Sequence, residues 1–208
     1  MNLLKLCLVS GLTLLLTACN SSQAIIPTSH TLPTTQDNYS LVWVGKGESY
    51  IYKEGAYQRS ESNDYSFEVV QRRYNNHWKS IKNMHRIHPD YDGKAGDREQ
   101  TMFFAIDFLK ENSQIVSKLS SSLGQGTGIS DAEFREQTIQ ISMEGISSFA
   151  PYNTLRITQH YKYEEGQLFE TVELFKLKNG KEIPFVKIEE YAKIFRQTQL
   201  DKAPTSFK

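Results

Sequence analysis

The sequence predicts an α+β domain: a mostly antiparallel β-sheet of about seven or eight strands with one or two helices, one of them C-terminal. Three observations lead there. Apolar and polar residues alternate in several short runs, Asn179-Gly180 separates two such runs, and the chain from Ile188 onward changes to a spacing of three and four. No strand–helix–strand rhythm is visible, so a parallel sheet is not expected.

Taken in chain order, Leu41–Val44 makes a short strand ended by Gly45-Lys46-Gly47, and Ser49–Lys53 makes a second. Residues 54–64, with Gly55, Ser60, Ser62, Asn63 and Asp64, read as a loop. Tyr65–Val70 is a third strand, with Tyr65, Phe67 and Val69 on one face. Asn75–Arg86 reads as a helix, because Trp78, Ile81 and Met84 or His85 recur every three or four residues. Met102, Phe104, Ile106 and Phe108 alternate as a strand. Residues 120–130 are rich in Ser and Gly and are expected to be a flexible loop; Gly124–Gly128 lacks the preceding strand and the Gly-Lys-Ser/Thr ending of a phosphate loop. Ser130 with Glu133 fits a capping box that starts a short helical turn.

Ile139, Ile141 and Met143 then alternate with polar neighbours, and Leu155, Ile157, Tyr161 and Tyr163 share the face opposite Arg156, Thr158, His160 and Lys162. Glu165-Gly166 turns the chain into Leu168–Leu177, and Asn179-Gly180 turns it again into Ile183–Val186, with Pro184 suited to an edge or a bulge. Ile188, Tyr191, Ile194 and Phe195 mark an amphipathic helix running to Leu200.

The 208 residues are 38% apolar and 23% charged, an ordinary globular balance. Basic and acidic residues are equal at 24 each, so the basic excess of a dedicated nucleic-acid binder is missing. Both cysteines, Cys7 and Cys19, precede residue 20, which excludes a disulfide, a cysteine zinc site or a cysteine nucleophile from the body of the chain.

Residues 1–18 read as a cleaved signal peptide: Lys5 supplies the charge, and Leu6–Leu16 is an apolar run too short to span a bilayer. Residues 19–38 are polar, Pro-bearing and almost uncharged, which makes them a tether; 39–200 form a single domain and 201–208 a short tail. Leu16-Thr17-Ala18-Cys19 resembles the lipobox of bacterial lipoproteins. That resemblance covers only these 19 residues and implies processing: diacylglyceryl on the Cys19 sulfur, cleavage before it and acylation of the new amine. The membrane is then the first partner, since two or three acyl chains hold stably where one does not. Asn20 rather than Asp after the cysteine implies the outer membrane in a Gram-negative host.

Two clusters in the body carry candidate chemistry. Counting from His88, Asp90, Asp92, Gly93 and Glu99 fall at positions 3, 5, 6 and 12 of a calcium-loop spacing, although a histidine stands where the first oxygen ligand belongs. His85 and His88 with a carboxylate would suit a transition metal instead, and the plainest reading is a polar connection with Asx turns. No cofactor is therefore expected, calcium at this loop being the alternative. Just upstream, Arg72, Arg73, Lys79, Lys82 and Arg86 are interleaved with Trp78, a composition that suits an anionic lipid, glycan or envelope protein; its plain alternative is a solvated, charge-balanced face.

Gly-x-Ser-x-Gly and His-Glu-x-x-His are absent, and no nucleophile with its base assembles from the sequence. The expectation is a non-enzymatic binding or accessory module for an anionic envelope component. Its rivals are a wall- or glycan-acting hydrolase using carboxylates of 90–99, and a structural subunit of an envelope complex.

Overall fold

The computed structural model describes residues 38–93, 97–111, 114–143 and 150–200; the signal peptide, Cys19, nearly all of the tether and the tail lie outside them. The α+β expectation is overturned. The described chain is nearly all β, a closed antiparallel barrel of ten strands plus one extra strand, with no helix of seven residues or more.

The strands run in simple up-and-down order: β1 (Tyr39–Lys53), β2 (Ala56–Arg59), β3 (Tyr65–Tyr74), β4 (His77–His85), β5 (Glu99–Glu111), β6 (Gln114–Ser121), β7 (Gly124–Ser130), β8 (Glu136–Ser142), β9 (Thr154–Lys162), β10 (Gln167–Lys178) and β11 (Lys181–Gln199). Each barrel strand pairs with the next, and β11 returns to β1 along Tyr39–Ile51, which removes both sheet edges. β2 stands outside the ring, a short flap hairpinned to the end of β1.

Three sequence expectations fail because inward positions in these strands are filled partly by polar or side-chain-free residues, which weakens the period-two signal. A fourth fails because β2 stands outside the ring. The proposed helix over 75–86 is β4, whose inward residues are Trp78, Ser80, Lys82 and Met84; Ile81 lies on the opposite, exposed face. The proposed C-terminal helix is the end of β11, where Ile188, Glu190, Ala192 and Ile194 alternate inward. There Phe195 is the extra residue of a bulge opposite Val42 and Trp43, and is 67% exposed. The proposed loop at 120–130 is the β6–β7 hairpin, and that at 54–64 contains β2 and a 3-10 turn at Glu61–Asn63. Ser130 caps nothing; Asp131 Oδ1 instead accepts from the backbone N–H of Arg135 at 2.7 Å and of Glu136 at 3.0 Å.

Nor does Gly45-Lys46-Gly47 end β1. Gly45 and Gly47 face Phe67 and Tyr65 across the β1–β3 ladder. A Cβ on Gly45 would fall 2.4 Å from the Tyr191 carbonyl oxygen and 2.6 Å from the Phe67 ring; one on Gly47 would fall 2.6 Å from the Tyr65 ring. The two rings therefore lie down over bare backbone. The hairpin at Asn179-Gly180 forms as expected, with both residues at positive φ, and Pro184 sits at a register shift in β11.

The two ends of the barrel differ. One end, where β1 begins and β11 finishes, is filled by aromatic rings around Arg73. Trp78, Phe108 and Phe134 meet edge-on or tilted within 4.5–5.5 Å, and Tyr161 stacks on Tyr163 at 5.2 Å. The other end carries the described parts of three long connections, 54–64, 86–93 with 97–98, and 150–153, and residues of them such as Ser60, Asn63, Asp92, Asp97 and Tyr152 line the cavity. The outer wall bears exposed charges along its strands, among them Lys46, Glu68, Asp107, Lys118, Glu189 and Lys193, where a bilayer-spanning barrel carries an apolar band.

Substitution Gly45→Ala should lower unfolding stability in urea by about 1–3 kcal/mol through forced separation of β1 from β11 and Phe67. An unchanged midpoint would show that β1 needs no bare backbone there.

Candidate functional site

Inside the barrel, above the aromatic plug, lies a cavity of about 1130 Å³. That is the upper end of the size range of small-molecule sites. Most of its wall is aliphatic or aromatic, with side chains such as Met102, Ile106, Leu119, Ile157, Val172 and Ile188 contributed from around the ring.

Set into this wall is a buried polar network. Lys82 on β4 reaches across the interior, over the Phe67 ring at 4.5 Å, to Glu190 on β11. It donates to both oxygens of Glu190, the Oε2 contact being 2.5 Å, and stands 3.6 Å from Glu170 Oε1. The Tyr65 hydroxyl donates to Glu190 Oε1. Gln159 Nε2 donates to Glu170 Oε2 at 2.5 Å, and the Tyr161 hydroxyl donates to Gln159 at 3.2 Å. β4 and β11 are not sheet neighbours; β3 and β1 lie between them. The Lys82–Glu190 contact is therefore a chord, and Gly45 and Gly47 on the intervening β1 leave space for the rings beneath it.

The ladder registers show how the network is laid out. Ser130, Gln137, Gln159, Glu170, Glu190, Gly47 and Tyr65 are successive cross-strand partners, from the closed-end tip of β7 to the open-end tip of β3. In a barrel with tilted strands such a row climbs as a spiral. One polar row thus ascends the inner wall, and Lys82 on β4 reaches it from outside the row.

The electrostatics follow from burial. Desolvation, reinforced by the Glu190 carboxylate beside it and opposed by Lys82, pushes the Glu170 carboxyl up to about 7. Burial works against the Lys82 ammonium, but the Glu190 and Glu170 carboxylates outweigh it and raise its pKa. Burial also drives the Tyr65 phenol well above its ordinary value, so it remains a donor. Among the described residues lining the cavity, three are basic (Lys53, Lys82, Arg86) and five acidic (Asp92, Asp97, Glu99, Glu170, Glu190).

Below the cavity, Arg73 is 1% exposed and lies 3.7 Å from the Trp78 ring centre. Its Nη1 donates to the hydroxyls of Tyr39 at 3.2 Å and Tyr163 at 3.1 Å, and its Nε to Gln71 at 2.8 Å. These partners are neutral, and its role here is to hold the plug together.

The sequence-derived clusters are redistributed by strand alternation. Of the basic set, Arg73, Trp78, Lys82 and Arg86 are buried, while Arg72 and Lys79 stand opposite one another on the outer face of β3 and β4. No continuous outer patch is formed from the six. The 88–99 set lies at the rim of the open end, with Asp92 and Glu99 on the cavity lining and Asp90 exposed. Among the described residues no group of three or more His, Asp or Glu is arranged to hold a metal ion. The carbonyls of Arg86, His88 and Pro89 accept from the Arg98 guanidinium at 2.9–3.1 Å, so an arginine gathers this loop. Glu170 and Glu190 were not singled out by the sequence, because each lies in a segment read from its apolar neighbours.

No known protein-family model matches the chain, and comparison with curated proteins gives no significant match. Fold and site alone define its class, a closed up-and-down β-barrel with a cavity inside.

Glu170 holds its proton more tightly when folded than when unfolded. Its contribution is therefore full below about pH 4.5 and is lost as pH rises toward about 7. Stability measured by urea unfolding should fall across that window, and Glu170→Gln should flatten the slope. A slope that persists in the variant would assign it to another group.

Proposed function

We propose that this protein is a non-enzymatic binding module of the bacterial envelope, held to a membrane by lipid on Cys19, that takes a small and largely apolar molecule into its barrel. The observation that carries the reading is the cavity of about 1130 Å³, closed at one end by the Arg73 plug and open at the other. Proteins fill their interiors to crystal-like density, so an apolar space of this size is a feature that needs an occupant.

The geometry of attachment supports the same reading. The described chain begins at Asn38, whose carbonyl accepts from the Leu200 N–H at 2.8 Å, at the plugged end. A tether joined there leaves the mouth unobstructed and on the side opposite the anchor. In a Gram-negative host Asn20 directs the anchor to the outer membrane, which leaves the interior to sample what diffuses through the adjoining space. An anionic envelope component is the weaker form of the proposal, because four of the six residues expected to bind it are buried.

A chain shortened to begin at Asn20, which lacks the lipidated Cys19 and needs no detergent, should bind the uncharged fluorophore N-phenyl-1-naphthylamine with enhanced emission. Ile157→Trp, which fills the cavity from β9, should weaken that binding by about tenfold or more while leaving the β-rich circular dichroism spectrum in place. Equal binding by both proteins would place the probe elsewhere and remove the proposal. Separately, Cys19→Ala in the full chain should abolish metabolic labelling by palmitate; retained labelling would place the lipid on another residue.

A further inference from the structure

We infer that the molecule held in the barrel is a cationic amphiphile, an apolar body carrying a protonated amine, and that Glu170 receives its head. This rests on the reading that the cavity holds a ligand, and adds the chemistry of the head.

Three observations point to a cation. The first is how the network divides its hydrogen bonds. Lys82 gives two donors to Glu190 and lies 3.6 Å from Glu170, beyond hydrogen-bond distance. Glu190 is further supplied by Tyr65 and by a hydrogen bond from the Glu170 carboxyl, whereas Glu170 accepts one short bond, from the neutral amide of Gln159. Of the two carboxyls, Glu170 is the one with acceptor capacity left over. The second is the charge inside the wall. Two carboxyls and one ammonium meet at mid-height, and the whole lining holds five acids against three bases. An anionic head would add a second negative charge beside the Glu190 carboxylate, in a buried site whose one central ammonium is already engaged. An ammonium would complete it, replacing the proton that Glu170 otherwise keeps. The third is the aromatic surroundings: Trp43, Tyr65, Phe67 and Tyr161 line the same cavity, and ring faces attract cations.

The exchange balances. An ammonium head enters, forms an N–H···O hydrogen bond to Glu170, and the carboxyl proton leaves to solvent. The site gains one positive charge and loses one. The groups facing Glu170 are Glu190 from β11, Lys82 from β4, Tyr65 from β3, and Gln159 and Tyr161 from β9; the first two are charged, and burial keeps both phenols protonated.

The test compares three probes of one chain length, decylamine, decanol and decanoate, binding to the same chain shortened to begin at Asn20. Tryptophan emission and titration calorimetry serve as readouts. Decylamine should bind about tenfold tighter than decanol, as one charge-assisted hydrogen bond warrants, and decanoate more weakly than either. At pH 6, decylamine but not decanol should release close to one proton, read from the dependence of binding enthalpy on buffer ionisation. Glu170→Gln should erase both the amine-to-alcohol preference and the proton release. The proton count on the unmodified chain tests the inference even where that variant fails to fold. Decanoate binding tightest, or amine and alcohol binding equally without proton release, would overturn the cationic head while leaving the cavity reading intact. Binding of none of the three would remove the cavity reading itself, and this inference with it.

Discussion

The interior of this barrel depends on one contact, the ion pair that Lys82 makes across it with Glu190. Two charges brought out of water cost several kcal/mol each by order of magnitude, and their attraction offsets that cost only when every remaining donor and acceptor is also met. The surroundings follow from this requirement. Tyr65 supplies a hydroxyl to Glu190, Phe67 places its ring under the ammonium, and both rings need bare backbone beneath them. Gly45 and Gly47 provide it, at the cost of β-propensity in a strand that also closes the barrel. A strand weakened at two positions is tolerated because β1 is paired on both sides over most of its length.

The same contact divides the barrel into two halves of different physics. Toward the plug, a buried cation is matched by phenol oxygens and an indole face, the rings close on one another, and little room is left. Toward the mouth, aliphatic side chains line the wall without meeting across the middle. A ten-stranded ring is wider than one that side chains alone can fill, so some device must hold the centre open or fill it. Here the plug fills one end, and the Lys82 chord ties β4 to β11 across the two strands between them. The open space is thus a consequence of strand number rather than of poor packing.

Much of this was legible in the sequence, and what was not is instructive. β8 and β9 were readable because Ile139, Ile141, Leu155 and Ile157 alternate inward against polar outer residues. The β10–β11 hairpin was readable because Asn179-Gly180 permits the positive φ that its turn needs. β4 was read as a helix because Ser80 and Lys82 occupy inward positions, leaving Trp78, exposed Ile81 and Met84 to imitate a period of three. β11 misled through Glu190 and Ala192 inside and a bulged Phe195 outside. β7 misled because its alternate residues are Gly124, Gly126 and Gly128, whose absent side chains let β8 approach: a Cβ on each would fall 1.9–2.8 Å from a β8 carbonyl oxygen.

Three of these misreadings meet at one place: β4 and β11 carry Lys82 and Glu190, and β1, read as two strands, carries the glycines beneath them. By contrast, β7 was hidden by glycines that pack against β8, and β10, which carries Glu170, was read as a strand. Periodicity arguments assume that the inward face is apolar, and they fail wherever a protein turns a charged group inward. A chain selected for stability alone would place aliphatic residues at 82, 170 and 190, which is often the more stable choice for a buried pair, and would read cleanly as alternating strands. At 82 and 190, the positions that hid β4 and β11, something other than packing therefore set the residue, and both lie in the part of the interior that has the chemistry to bind.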